Sequence, residues 1–315
     1  MISALLGALS NLGVTWDGNS LLSLLTFRFF TGFFLAGIYP VGMKIAADYF
    51  DIGLGKSLGY LVGALVIGTA FPHLLKDVAD AFPWKYVLYA TSSLAVLGGT
   101  LMFLLVPNGP YRKESQKTDL SAFLDVFKSR QFRSVAIGYF GHMWELYAFW
   151  TFVPIILATY TKSNPAADIN ISLVSFLIIA IGGLACMLAG YFSQAKGAKN
   201  TAFYALLFSC LCCLRSPLIF QSSNEVLFLS FLFFWAAAVI ADSPLFSTLV
   251  AQNAIAEMKG TALTIVNCLG YTITIISIQL LSLLLVYTDS TAIYAVLALG
   301  PIIGLFSLSK YKSIA

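Results

Sequence analysis

Apolar positions along this chain gather into runs of about 20 residues separated by short polar stretches, not into the alternating ten-residue segments of a membrane barrel. Within hydrocarbon, each run can satisfy its backbone hydrogen bonds only as a helix. The pattern predicts an all-α, polytopic membrane protein with ten spans, at 2–14, 21–43, 57–75, 86–106, 135–159, 171–192, 201–220, 226–250, 261–286 and 291–308. The first is short, since its helix rises about 20 Å against a bilayer core of about 30 Å. The longest polar segment, 108–133, separates four spans from six. It divides the chain into an incomplete N-terminal bundle (1–107), a cytoplasmic linker (108–133) and a C-terminal six-helix bundle (134–315). Within the linker, Leu120, Phe123, Leu124 and Phe127 recur at i, i+3, i+4 and i+7 behind Asp119, which predicts a short amphipathic helix on the membrane surface.

Composition agrees, with 59% apolar and 10% charged residues, against roughly 45–50% and 25% in soluble domains. The net charge of +4 follows from loop sorting and does not signal a nucleic-acid partner. Of 18 basic residues, Lys76, Lys85, Lys162 and Arg215 fall on one side and Arg28 inside a span, leaving the other 13 in the alternate loops and at the termini. The positive-inside rule therefore predicts that both termini are cytoplasmic. No basic segment and cleavage site mark a removable leader. The five cysteines lie within spans without metal-ligand spacing and read as small apolar packing residues. No phosphate-cradling loop, metal cluster or nucleophile triad is present, so an enzyme is not expected, nor any cofactor.

Against this apolar background a few polar residues stand out. Glu145 lies inside the fifth span with His142 one helical turn before it, and a charged centre in a membrane helix costs roughly 2.5–3.5 kcal/mol. Such a cost points to transport or proton movement. A buried carboxyl beside an imidazole suits a group that takes and releases a proton as water access changes, so Glu145 is expected to do so with help from His142. The structural alternative is a fixed polar clasp. Asp242 precedes Ser243-Pro244, where proline bends the helix and frees a carbonyl, giving either a polar notch or a simple kink. Arg28 would offer an anion contact or a counter-charge. The aromatics Tyr39, Trp144, Tyr147, Trp150 and Trp235 could stack on a solute, although with 26 Phe and 15 Tyr such neighbours are common. Gly59 and Gly63 have the spacing that permits close helix approach.

An internal repeat emerges when Ala36-Gly-Ile-Tyr-Pro40 is laid on Ile240-Ala-Asp-Ser-Pro244. Gly55-Lys-Ser-Leu58 then meets Gly260-Thr-Ala-Leu263, at offsets of 204 and 205 residues. The second and third spans are thus copied, in parallel orientation, by the eighth and ninth.

Together these features resemble the major facilitator superfamily, whose members pair two six-helix bundles about an axis along the membrane normal. The resemblance aligns this chain to the family's third through twelfth helices. Arg28-Phe-Phe-Thr-Gly32 is similar to the family's fourth-helix signature, and Gly190-Tyr-Phe-Ser-Gln-Ala-Lys-Gly197-Ala-Lys199 to the second copy of its switching loop, with Gly190, Gln194, Lys196, Gly197 and Lys199 at motif positions. Gln194 replaces the usual acid. The run Gly59 to Gly68 lacks the antiporter signature's Gly-Pro step, so exchange is not indicated. Gly141-His-Met-Trp-Glu-Leu-Tyr147 and Ala241-Asp-Ser-Pro244 resemble a bacterial branch loosely grouped with nitrate/nitrite and cyanate permeases.

The resemblance implies a secondary transporter of the inner membrane that moves a small polar or anionic solute with protons, acts as a monomer and uses alternating access. It places Arg28, Glu145 and Asp242 on cavity-lining helices, with Tyr39, Trp144, Tyr147 and Ser243 beside them. It also implies that two helices are missing ahead of Met1, which leaves open a transport-inactive remnant or regulatory subunit as the alternative.

Overall fold

A computed structural model describes residues 1–16, 20–50, 53–78, 83–112, 126–255, 258–288 and 290–310. The expected surface helix of the linker falls mostly outside these; of its stretch, only a short 3-10 turn, Val126–Lys128, is described. Among the described residues the fold is entirely helical. The first half contains α1 (Ile2–Gly13), α2 (Leu21–Leu35), α3 (Tyr39–Tyr49), α4 (Leu54–Val78) and α5 (Lys85–Leu105). The second contains α6 (Arg130–Ser163), α7 (Ile171–Lys196), α8 (Ala198–Ile219), α9 (Glu225–Ala241), α10 (Ser243–Asn253) and α11 (Lys259–Tyr287). A 3-10 helix (Thr291–Ala298) leads into α12 (Leu299–Ser309).

Helix starts follow from local chemistry. Ser20, Ser129, Asn170 and Asn224 each accept a hydrogen bond from the backbone N–H three residues on, satisfying a donor that the helix itself leaves unpaired. Ser129 explains why α6 begins at Arg130 and not at 135, where the apolar run starts. The charged first turns extend the helix beyond the hydrocarbon, and its 34 residues exceed what a bilayer core requires.

Among the described residues, eight segments are long and apolar enough to cross a membrane. The polar residues of α6 leave it outside that group, and α1 is too short for it. Two spans are broken in the middle. Leu21–Tyr49 bends at Ala36-Gly37-Ile38 into α3, and Glu225–Asn253 bends at Asp242 into α10, with Pro40 and Pro244 each at the second position of the inner segment. Both spans are 29 residues long and are offset by 204 at either end, so the breaks fall where the sequence repeat aligns them. Proline is tolerated there because the N–H groups of a helix's first turn have no intrahelical acceptor, so no hydrogen bond is lost.

The first half is not a uniform bundle. Helices α1, α2 and α5 pack together, whereas α4 packs chiefly on α7 of the second half. Glycines make that approach possible: a Cβ on Gly59 would lie 2.7 Å from the Cys186 carbonyl oxygen, and one on Gly63 2.8 Å from that of Gly183. Two crosswise contacts complete the seam, α3 with α11 and α10 with α4.

Candidate functional site

The break in the α9–α10 span sets the centre of the site. Because Pro244 cannot continue the ladder, the Asp242 carbonyl turns to cap α10, accepting from the N–H groups of Leu245 (3.0 Å) and Phe246 (2.8 Å). The Asp242 side chain is fully buried, and its Oδ1 lies 2.7 Å from Nδ1 of His142 on α6, at ion-pair distance with both side chains inaccessible. Nε2 of His142 and Oδ2 of Asp242 have no hydrogen-bond partner among the described residues. The imidazole packs against the rings of Tyr139 and Phe246, each with its centroid 5.9 Å away, and the two rings also touch each other. Tyr139 donates to Asn267 Oδ1 on α11 at 2.6 Å, which ties the pair's packing shell to a third helix.

Glu145 stands one turn further along α6 and turns elsewhere. Its Oε1 accepts from Ser209 on α8 and, at 2.6 Å, from the indole N–H of Trp235 on α9, with Cys213 alongside. The expected contact of His142 with Glu145 is not the one seen: the two share a side of α6, but across the helix interfaces His142 meets the Asp242 carboxylate and Glu145 two hydrogen-bond donors.

A second polar group lies at the seam between the halves. Tyr147 (α6) and Tyr271 (α11) bring their hydroxyls to 3.0 Å, and Tyr39, at the start of α3, sits near Tyr271 and beside Ser247 of α10. The Trp150 ring is 5.2 Å from that of Tyr147 at 73°, and its buried N–H has no partner among the described residues. Ser243 is buried next to Asp242.

Two expected members lie elsewhere. Arg28 is exposed on α2 and donates to Asn11 Oδ1 at 3.3 Å, within a polar group that includes Thr91 and Ser92 of α5. It takes no part in the Asp242 cluster. Trp144 packs on Gly300 and directs its N–H toward the Val296 carbonyl at 3.4 Å, so it faces the last span. Sequence reasoning missed Ser209, Asn267 and Tyr271. The repeat register was the one available signal, because it marks α11 as the copy of α4 and so as a seam helix.

The switching-loop residues gather at one end of the seam. A Cβ on Gly190 would come within 2.8 Å of the Gly55 carbonyl oxygen, and the Gln194 amide lies against Gly53, just before α4. Lys196 ends α7, Gly197 turns the chain at φ +80° and ψ 148°, and Lys199 falls in the first turn of α8. Beside them Tyr60 and Tyr191 pair their hydroxyls across the seam at 2.7 Å, with Lys56 Nζ 4.6 Å from the Tyr191 ring centroid.

The sequence matches the family model described as Major Facilitator Superfamily over residues 1–278. The chain belongs to that superfamily. Among solved structures it is similar to a crystal structure of a variant of the E. coli fucose:proton symporter FucP, at 12% identity and a TM-score of 0.71, covering 99% of this chain and 82% of that one. A search of curated proteins by sequence finds no match. As a superfamily member it is a multi-pass membrane protein built as a secondary transporter, not an enzyme. The broken spans and the glycine seam described above are this chain's version of the shared fold.

Proposed function

We propose that this protein is a proton-coupled secondary active transporter of the cytoplasmic membrane that moves a small polar solute by alternating access, with the His142–Asp242 pair carrying the proton. The observation that carries this reading is the pair itself: an acid and an imidazole, fully buried at a helix break and joined at 2.7 Å. With one proton held between them, imidazolium and carboxylate are together neutral, and the seam can close over them. When the proton leaves, a lone carboxylate remains, and a net charge in hydrocarbon is stabilised only by admitting water. Water entering at Asp242 loosens the packing of α6, α10 and α11 and releases the solute. Glu145, with both donors on one oxygen, is the fixed anchor between α6, α8 and α9. The solved neighbour named as a proton symporter is consistent with this coupling.

The halves are assigned to 1–107 and 134–315, joined by 108–133 and acting as a monomer with both termini in the cytoplasm. The basic-residue asymmetry supports that orientation. The test uses the protein in liposomes loaded with a pH-sensitive dye, with sugars, polyols, carboxylates and inorganic anions offered in turn. The wild type is expected to acidify the lumen with its solute, and Asp242→Asn to lose that signal. Acidification that survives in Asp242→Asn would refute the proton role. Failure of the wild type to move any of these solutes would refute transport and favour a transport-inactive membrane protein.

A further inference from the structure

We propose that the tyrosine group at the seam is the solute subsite and that it takes an uncharged, polyhydroxylated solute of sugar or polyol type. This rests on the transporter reading and narrows its substrate class. The hydroxyls of Tyr39, Tyr147 and Tyr271 come from α3, α6 and α11, so both halves contribute to one small patch. A site made by both halves is remade or broken each time they move, as alternating access requires of a solute site. Tyr271 is 38% exposed, so the patch is open where the His142–Asp242 pair is closed.

The second observation is the indole of Trp150. Its N–H is buried and unpaired among the described residues although the Tyr147 ring stands 5.2 Å away. A buried donor without an acceptor is destabilising, and a ligand oxygen would satisfy it. Phenolic hydroxyls both donate and accept, so the Tyr147–Tyr271 pair can reorient to meet hydroxyls in either sense. The ring of Tyr147, only partly buried, offers apolar surface to the C–H face of a sugar ring.

Charge decides the class. Among the described residues, the hydrogen-bond and ion-pair partners of these tyrosines and of the two acids are one another, Ser209, Cys213, Ser247, Trp235 and His142, and none is a lysine or arginine. An anion would approach carboxylates with no cation to receive it. A cation would find both carboxylates fully buried, with one oxygen of Asp242 already against His142 and one of Glu145 held by Ser209 and Trp235. A neutral solute rich in hydroxyls meets neither obstacle.

The test is calorimetric titration of the purified full chain with D-glucose, D-galactose, L-rhamnose and mannitol, with nitrate and acetate as anions and choline as a cation. At least one sugar or polyol is expected to bind, with its Kd weakened tenfold or more in Tyr147→Phe, Tyr271→Phe and Trp150→Phe. These variants keep a ring in place, and their unfolding temperatures report whether the fold is intact. Nitrate, acetate and choline are expected not to bind. The proposal is overturned if a charged probe binds and the three variants weaken it, if a sugar binds equally well to all three, or if no sugar or polyol binds. Asp242→Asn separates the two readings. Sugar binding that depends on the tyrosines, found in a protein whose uptake ignores pH, removes the proton role and leaves the subsite standing.

Discussion

Removing one member of the His142–Asp242 pair is expected to destabilise the protein far more than removing both. His142→Phe keeps a ring packed against Tyr139 and Phe246 but strands a carboxylate that has no solvent exposure. Breaking a buried pair in this way costs about 3–5 kcal/mol. Asp242→Leu leaves a neutral imidazole with an unmet nitrogen, at about 1–3 kcal/mol. The double variant removes both polar groups from an apolar surround, and such replacements are often near neutral, so about 1 kcal/mol is expected. The coupling energy of the cycle is then about 3 kcal/mol or more, at the top of the range for residues in contact. Equilibrium unfolding of the four proteins in detergent measures it. Single-variant losses that add to within about 0.5 kcal/mol would show that the two side chains do not act as a pair, and the proton assignment would lose its basis.

Glu145→Gln keeps an oxygen to accept from Ser209 and Trp235, so uptake should keep its pH profile. Glu145→Leu should cost about 3 kcal/mol or more by stranding the indole N–H and the serine hydroxyl, and a pH profile lost in Glu145→Gln would move the proton to Glu145. Gly59→Ala puts a methyl 2.7 Å from the Cys186 carbonyl oxygen and should lower stability by about 1–3 kcal/mol, read as a reduced unfolding temperature; an unchanged value would mean that α4 and α7 are not in close contact. Gly197→Ala forces a side chain into φ +80°, ψ 148°, a region open essentially to glycine, at about 1–3 kcal/mol by the same measurement.

The spans were legible because hydrocarbon imposes one rule on every backbone group, and a run of apolar residues records it directly. The break at Asp242 was legible for a similar reason: Pro244 has a local effect that does not depend on what packs around it, whereas the matching break before Pro40 was marked only by the repeat. Partners were not. His142 and Glu145 are three residues apart on one helix, which puts them side by side but does not say what each faces. Asp242 lies 100 residues from His142, and only the packing of α6 against α10 brings them together. Arg28 read as part of the centre because the family signature places it on a cavity helix, yet Asn11 of α1 holds it away. Tyr271 and Asn267 carried no charge to single them out, and α11 presents tyrosine, serine and threonine on several faces.

The repeat gives these pieces an asymmetry with a physical consequence. Under the 204-residue offset α3 corresponds to α10, and under the 205-residue offset α4 corresponds to α11, so the contacts of α3 with α11 and of α10 with α4 are two copies of one arrangement. A seam built this way can rock about its own axis while both contacts change together. Chemistry breaks the equivalence at the helix breaks. Asp242 falls on Ile38, and Ser243 on Tyr39, so the first half supplies an aliphatic side chain where the second supplies a carboxylate, and a phenol where the second supplies a serine. His142, Glu145 and the helices that hold them also belong to the second half. On the coupling proposed above, gain or loss of a proton acts on one side of the seam only, and Tyr39, whose neighbours Ser247 and Tyr271 lie on the helices that pack around the His142–Asp242 pair, gives α3 a route by which to follow it. The contact of α10 with α4, where Leu245 lies beside Gly55, gives the first half a second route.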